Sequence, residues 1–289
     1  MTNLQLFIAC VSIWGSTWIA ITYQLGRVAP EASVTYRFFL ASLLLFAYCA
    51  VRRLPLRYPL RDHLWIAFQG VMMFGVSYVW VYYAEQHVVS GLVAVGYSAS
   101  PLLGMIGLRI CYGTPMTARM TTGSLLGIAG ITLVFWPEFS RLGLGPAVVL
   151  GATYTVLAVV ASSVGSLVAH RNYDAKLPTW QVMAWGMLYG SLSSLAIALM
   201  TGESLTFEVS VPYIASFVYL TLLGSIVAFG CYLTLLKRIG AARSGYVGVM
   251  TPVVALVVSA AFEGFRWHIL TLVGIGVSVA GNVLVLRRR

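Results

Sequence analysis

The sequence predicts an all-α integral membrane protein of ten transmembrane helices, arranged as two inverted five-helix repeats. Three observations lead there: the composition, the length of the apolar runs, and an internal similarity at a fixed offset. Of 289 residues, 60% are hydrophobic and 9% are charged, against roughly 25% charged in an ordinary soluble domain. One soluble core of this size has too little polar surface to cover so much apolar side chain. The apolar residues also fall into runs of about 17–25, the length that crosses roughly 30 Å of hydrocarbon at about 1.5 Å per residue. The short stretches between runs leave no room for a soluble catalytic domain.

In chain order the predicted spans are 4–25, 33–51, 64–84, 88–111, 119–136, 145–170, 180–200, 212–236, 242–262 and 268–286. The breaks between them carry turn chemistry: Ala29-Pro30-Glu31, Arg52 to Asp62 with Pro55 and Pro59, Thr114-Pro115, Trp136-Pro137-Glu138 and Lys176-Leu177-Pro178. Each span must be a helix, because a lone segment in lipid has to satisfy its own backbone hydrogen bonds. A transmembrane barrel would need alternating segments of about ten residues, and the sequence has none. Met1-Thr2-Asn3 lacks the basic start of a cleaved signal peptide, so the first run reads as a retained helix.

The net charge of +10 does not point to nucleic acid, because the basic residues cluster at helix ends with no basic helix or aromatic-basic platform. Their distribution gives an orientation instead. With the N-terminus in the cytoplasm, the cytoplasmic ends receive Arg52, Arg53, Arg57, Arg61, Arg109, Arg119, Arg171, Lys176, Lys237, Arg238, Arg243 and Arg287 to Arg289. The opposite side keeps Arg27, Arg37, Arg141 and Arg266, a split of fourteen to four. Both termini then lie in the cytoplasm, which requires an even number of spans. Cys10, Cys49, Cys111 and Cys231 are isolated in or beside apolar runs. They read as packing residues, with no paired spacing for a disulfide or a metal.

A shift of 151 residues aligns 64–136 with 215–287 without a gap. Identity is low, eight of seventy-three positions. The coincident residues are the informative part: Pro101, Gly113, Gly123 and Gly130 fall on Pro252, Gly264, Gly274 and Gly281, the last pair within Ala129-Gly130 and Ala280-Gly281. Five spans per unit is an odd number, so the second unit enters the membrane from the opposite side. The expected units are 1–140 and 141–289, an inverted repeat of the kind that builds alternating-access carriers with a site near the midplane.

Trp14-Gly15-Ser16 in the first span, Pro30 ahead of Arg37 at the second, and the Pro-then-Gly-then-Gly pattern of both units resemble the drug/metabolite transporter superfamily. Within it, the EamA-type ten-helix exporters are the nearest likeness, including exporters of aromatic and neutral amino acids. The resemblance covers essentially the whole chain. It implies a cavity built by spans 1, 3, 4, 6, 8 and 9, with spans 5 and 10 as peripheral supports. One departure stands out: many relatives carry an acidic residue directly after the glycine of each unit, where this chain has Thr114 and Phe265.

Candidate solute contacts come from aromatic and small polar residues at depth. Trp14 and Trp18 are four apart and share a helix face; they form an aromatic wall or pack against neighbouring helices. Tyr78 and Tyr82 repeat that spacing, each with a ring to pack and a hydroxyl to hydrogen-bond, although an interfacial belt also accounts for Tyr82. Tyr97 precedes Pro101, and Ser244 and Gly248 precede Pro252. A mid-membrane proline frees a carbonyl one turn earlier, near Tyr97 and Gly248, which a neighbour, a water or a solute must meet. Tyr154 lies in a sixth span rich in hydroxyls, which suit interhelical bonds as well as a cavity.

Every Asp and Glu, and all four histidines, fall at span ends or in loops. Glu85 and Arg37 sit near outer ends, where an interfacial charge is the default and a gate the alternative. No buried titratable relay and no nucleophile–base pair, metal cluster or phosphate loop is visible, which argues against an enzyme and against any cofactor. The expectation is a monomeric, multi-pass plasma (inner) membrane carrier exporting small neutral organic metabolites, amino acids foremost, by alternating access. Carriage of other metabolites or drugs is the alternative. A passive channel is disfavoured because charged pore rings are missing. The expected partners are a small-molecule substrate and the lipid bilayer, with no nucleic acid.

Overall fold

The computed structural model describes residues 1–115, 117–141, 145–232, 234–235, 238, 246–263 and 267–286, with the backbone alone at 101, 120, 124, 131, 135, 138–141, 246, 249, 282 and 285–286. Among the described residues the fold is entirely helical. The first unit of chain contains α1 (Asn3–Thr22), α2 (Pro30–Val51), α3 (Leu60–Gly70), a π-helical turn π1 (Val71–Val76), α4 (Ser77–Glu85), α5 (Ser90–Tyr97), α6 (Ser100–Tyr112) and α7 (Ala118–Arg141). Then follow α8 (Pro146–Asp174), α9 (Thr179–Thr201), α10 (Val211–Tyr219), a second π-helical turn π2 (Leu220–Val227), α11 (Tyr246–Phe262) and α12 (Ile269–Leu286).

Among the described residues, seven continuous helical runs are long and apolar enough to cross a membrane, including Leu60–Glu85 through π1 and Val211–Tyr232 through π2. Thr121–Val134, Met250–Phe262 and Ile269–Gly281 are shorter apolar helices. Helix starts follow local chemistry. The Thr2 side chain and Gln5 close a reciprocal capping box on α1, and proline occupies the first turn of α2, α6, α8 and α10. Gly113 and Gly202 stop α6 and α9 in the left-handed region, at φ 67° and 74°.

Two predicted breaks differ. Pro30 opens α2 rather than lying in a loop, so that helix begins three residues before the expected 33. The run Trp136-Pro137-Glu138 is no turn: α7 continues through Pro137 to Arg141. By contrast, the expected proline disturbance at 101 is real. The 88–111 span is interrupted at Ser98 and Ala99, whose N–H groups reach back three residues, to Val95 O and Gly96 O.

Helix pairing follows the small residues. The aligned glycines Gly123, Gly130, Gly274 and Gly281 meet at one crossing, where α7 packs along α12. A Cβ added at Gly130 would lie 2.5 Å from Gly274 O, and one added at Gly281 would lie 2.4 Å from Gly123 O. Only glycine permits that approach. α2 packs along α9, α1 against α11, and α8 against α3, π1 and α4. The main core gathers Phe38, Phe74, Tyr82, Val93, Met187 and Leu220 between these helices.

Candidate functional site

The candidate site is centred on π2 (Leu220–Val227). A π turn inserts an extra residue per turn and leaves backbone and side-chain groups aimed away from the helical ladder, a geometry common at functional sites. Here Ser225 Oγ donates to Leu220 O, five residues back, at 3.0 Å. Its lone pairs remain free, and one accepts from Arg37 Nε at 3.1 Å. Gly224 makes the space: a Cβ there would stand 2.8 Å from Thr17 Cγ2 and 3.4 Å from Arg37 Nη2. Trp14 Nε1 donates to Gly224 O at 3.2 Å. α1, α2 and π2 therefore converge on one point in the bundle interior.

Arg37 is the residue the sequence places wrongly. The positive-inside count puts it at an outer interface, yet it is 1% exposed. It sits two turns inside α2, roughly 10 Å along the axis from Pro30. Its guanidinium lies over the Tyr78 ring at 4.7 Å and the Phe38 ring at 5.0 Å, a cation–π arrangement. Glu31 and Glu85, expected as interfacial charges, are likewise 1% and 7% exposed. All three are buried in the helix bundle instead of lying exposed at its rim, with α2 packed by π2, α9 and α4. The available signal was Arg37 itself, a lone charge between Tyr36 and Phe38 inside an apolar run.

Trp18, Tyr78 and Tyr97 come together around the middle of the bundle. Trp18 and Tyr97 have ring centroids 5.0 Å apart. Ser77 Oγ donates to Ala158 O at 3.0 Å and is 2.7 Å from the Tyr97 hydroxyl, so the tyrosine donates to the serine. That chain ties α4, α5 and α8. The buried Trp18 indole N–H has no acceptor. Trp14 turns the other way, onto Phe229 at 5.1 Å and Tyr232 at 5.3 Å. Space opens at Gly248, where an added Cβ would meet nothing within 4 Å. Ser244 lies outside the described residues.

Tyr82 and Tyr154 make other contacts. Tyr82 is fully buried and donates to Gln24 Oε1 at 2.6 Å. Tyr154 stacks on Tyr83 at 5.2 Å and on His87 at 6.2 Å. Tyr83 donates to Glu31 Oε1 at 2.5 Å. The Ser90 backbone N–H and hydroxyl both donate to Glu263, at 3.2 and 2.5 Å, crossing from α5 to the residue after α11. These bonds link α1, α2, α4, α5, α8 and α11 at the ends expected outside. At the other ends, Arg171 with Asp62, Asn172 with Gln69 and Tyr189 with His63 tie α3, α8 and α9 together. Arg238 reaches Met1 O separately. No described bond crosses between those two groups.

Residues 1–136 and 149–287 match the EamA-like transporter family. The chain belongs to that family. As an EamA-like transporter it is a multi-pass membrane protein that moves solutes rather than transforming them. The chain is 29% identical over 286 residues to YedA of Escherichia coli K12, described as an uncharacterized inner membrane transporter; the match covers 94% of this chain and 87% of YedA. It is 23% identical to protein PecM of Dickeya dadantii, covering 86% and 80% of the two chains. YdfC of Bacillus subtilis, an uncharacterized transporter, is 25% identical, with 94% and 86% covered. A solved crystal structure superposes with a TM-score of 0.72 at 18% identity, covering 98% of this chain and 95% of that one. It shares the fold of this EamA-like transporter.

Proposed function

We propose that the protein is a secondary carrier exporting small neutral organic metabolites, zwitterionic amino acids foremost, across the plasma membrane by alternating access. Ten helices in two inverted five-helix units, 1–140 and 141–289, form the working monomer, with both termini in the cytoplasm. The observation that carries this reading is the aromatic surface in the bundle: Tyr78 lies under the buried Arg37 guanidinium, and Trp18 packs on Tyr97. An amphipathic solute with an apolar side chain finds both packing and polar contacts there.

The inverted-repeat reading rests on three supports. The family match falls on two stretches of similar length. The π turns at Val71–Val76 and Leu220–Val227 also overlap under the 151-residue shift, since 71–76 maps onto 222–227. The glycine crossing fits as well: Gly130 meets Gly274 while Gly123 meets Gly281, the reciprocal exchange that a two-fold axis produces. Described bonds join the two halves at both ends, Ser90 with Glu263 at one and Arg171 with Asp62 and Asn172 with Gln69 at the other. α5 is buried from Ser90 to Gly96, while most of α6 is half-buried or exposed.

Purified protein in liposomes tests the reading, with labelled neutral amino acids offered with and without a proton gradient. Saturable uptake is the expected result. Failure of folded protein to move any amino acid removes the substrate class and transfers it to other metabolites or drugs.

A further inference from the structure

Arg37 holds a permanent charge, and among the described residues no carboxylate lies within ion-pair distance of it. Among the described residues the ion pairs are His170–Asp174 and Arg171–Asp62, both elsewhere. Each acidic group on the surrounding elements is committed otherwise or unengaged. On α2 itself, Glu31 accepts from Tyr83. On α4, both Glu85 oxygens are buried without a hydrogen-bond partner, so Glu85 feels Arg37 only at longer range. Beyond α11, Glu263 accepts from Ser90. Among the described residues, Ser225 Oγ is the acceptor that meets the guanidinium in good geometry, at Nε, with the Tyr82 hydroxyl close by. Arg37 Nη1 is buried with no hydrogen-bond partner among the described residues.

A guanidinium fixed at Nε by one serine and flat against a tyrosine ring keeps its outer N–H groups aligned for a planar, two-oxygen acceptor. The Trp18 indole N–H and the Thr221 hydroxyl, one turn before Ser225 on π2, are also buried without a partner among the described residues. A buried cation with an unmet N–H is the complement of an anionic group that arrives and leaves.

We propose that Arg37 receives the carboxylate of the transported solute, which restricts the substrate class to molecules carrying a carboxylate. For an amino acid, the α-carboxylate lies on the Arg37 fork and the side chain packs against Tyr78, Trp18 and Tyr97. Ser225 is a positioning residue that sets the angle of the fork. The assignment rests on the carrier reading above and narrows it.

The test is isothermal titration of the purified full chain in detergent with matched acid and amide probes: phenylalanine with phenylalaninamide, and 3-phenylpropanoate with 3-phenylpropanamide. The acids bind at least tenfold more tightly than their amides. Arg37→Gln loses at least tenfold for both acids and leaves the amides unchanged, Arg37→Lys loses less, and Ser225→Ala falls between wild type and Arg37→Gln. The acid-versus-amide comparison on the wild-type protein depends on no variant folding. Equal binding of acid and amide, no binding of either acid, or unchanged acid affinity in folded Arg37→Gln overturns the assignment. Liposome uptake with the same probes separates the two readings. Acid-selective binding without uptake removes the carrier and keeps the Arg37 site. Uptake indifferent to the carboxylate and to Arg37→Gln keeps the carrier and removes the site.

Discussion

Gly130 and Gly274 face each other so closely that neither has room for a side chain. A Cβ on Gly130 would stand 2.5 Å from Gly274 O, and a Cβ on Gly274 would stand 2.6 Å from Gly130 O. Both obstacles are backbone, so neither can rotate away. Gly130→Ala is expected to push α7 off α12 and to destabilise the protein by about 1–3 kcal/mol, the range for overpacking. Gly127→Ala on the same helix meets nothing within 4 Å and should be neutral or slightly stabilising, as alanine favours helix. Thermal unfolding of the two variants in one detergent checks the contrast.

The two tryptophans of α1 should separate stability from transport. Trp14→Phe removes the N–H that serves Gly224 O and should cost about 1–3 kcal/mol, because a buried carbonyl loses its donor. Trp18→Phe removes an N–H with no acceptor and should leave unfolding unchanged, while Trp18→Ala and Tyr78→Ala cut uptake at normal expression. Normal uptake in both alanine variants would remove the aromatic wall.

Cysteine chemistry reads the orientation. Cys10, Cys49 and Cys231 are buried, and Cys111 is exposed at the end of α6. A membrane-impermeant thiol reagent should modify one thiol per chain, Cys111, and only from the cytoplasmic face. Labelling in right-side-out vesicles would reverse the proposed topology.

The outer bonds should act as a seal. Tyr83→Phe removes the donor to Glu31, and Ser90→Ala removes the hydroxyl bond to Glu263. In a Cys111→Ser background, a cysteine placed at the fully buried Ala94 should react several-fold faster from outside when both substitutions are present. An unchanged rate would assign those bonds to static packing.

Much of the fold is legible in the sequence because the bilayer fixes element length and forbids unpaired backbone. The predicted span 180–200 against the observed Thr179–Thr201 shows how tightly that constraint acts. Glycines 123, 130, 274 and 281 stand out in the sequence as a pattern, although their contact does not. Three features were not legible. Pro137 does not end α7, since a proline within a helix kinks it when other groups satisfy the backbone. The π turns leave no signature in a 3.6-residue period. The burial of Arg37 depends on which helices pack on α2, a tertiary fact that loop counting cannot supply. Of the predicted contacts, Trp18, Tyr78 and Tyr97 gather at mid-bundle, whereas Trp14 serves π2 and Tyr82 and Tyr154 make other contacts.

The most direct test of the carrier itself is counterflow. Liposomes holding the purified chain are preloaded with an unlabelled neutral amino acid, then given a trace of the labelled one outside with no ion gradient. A carrier whose site faces one side at a time accumulates label transiently above equilibrium, and the account predicts that overshoot. Label that rises only to equilibrium, at the same rate in preloaded and empty liposomes, would contradict alternating access and describe a pore.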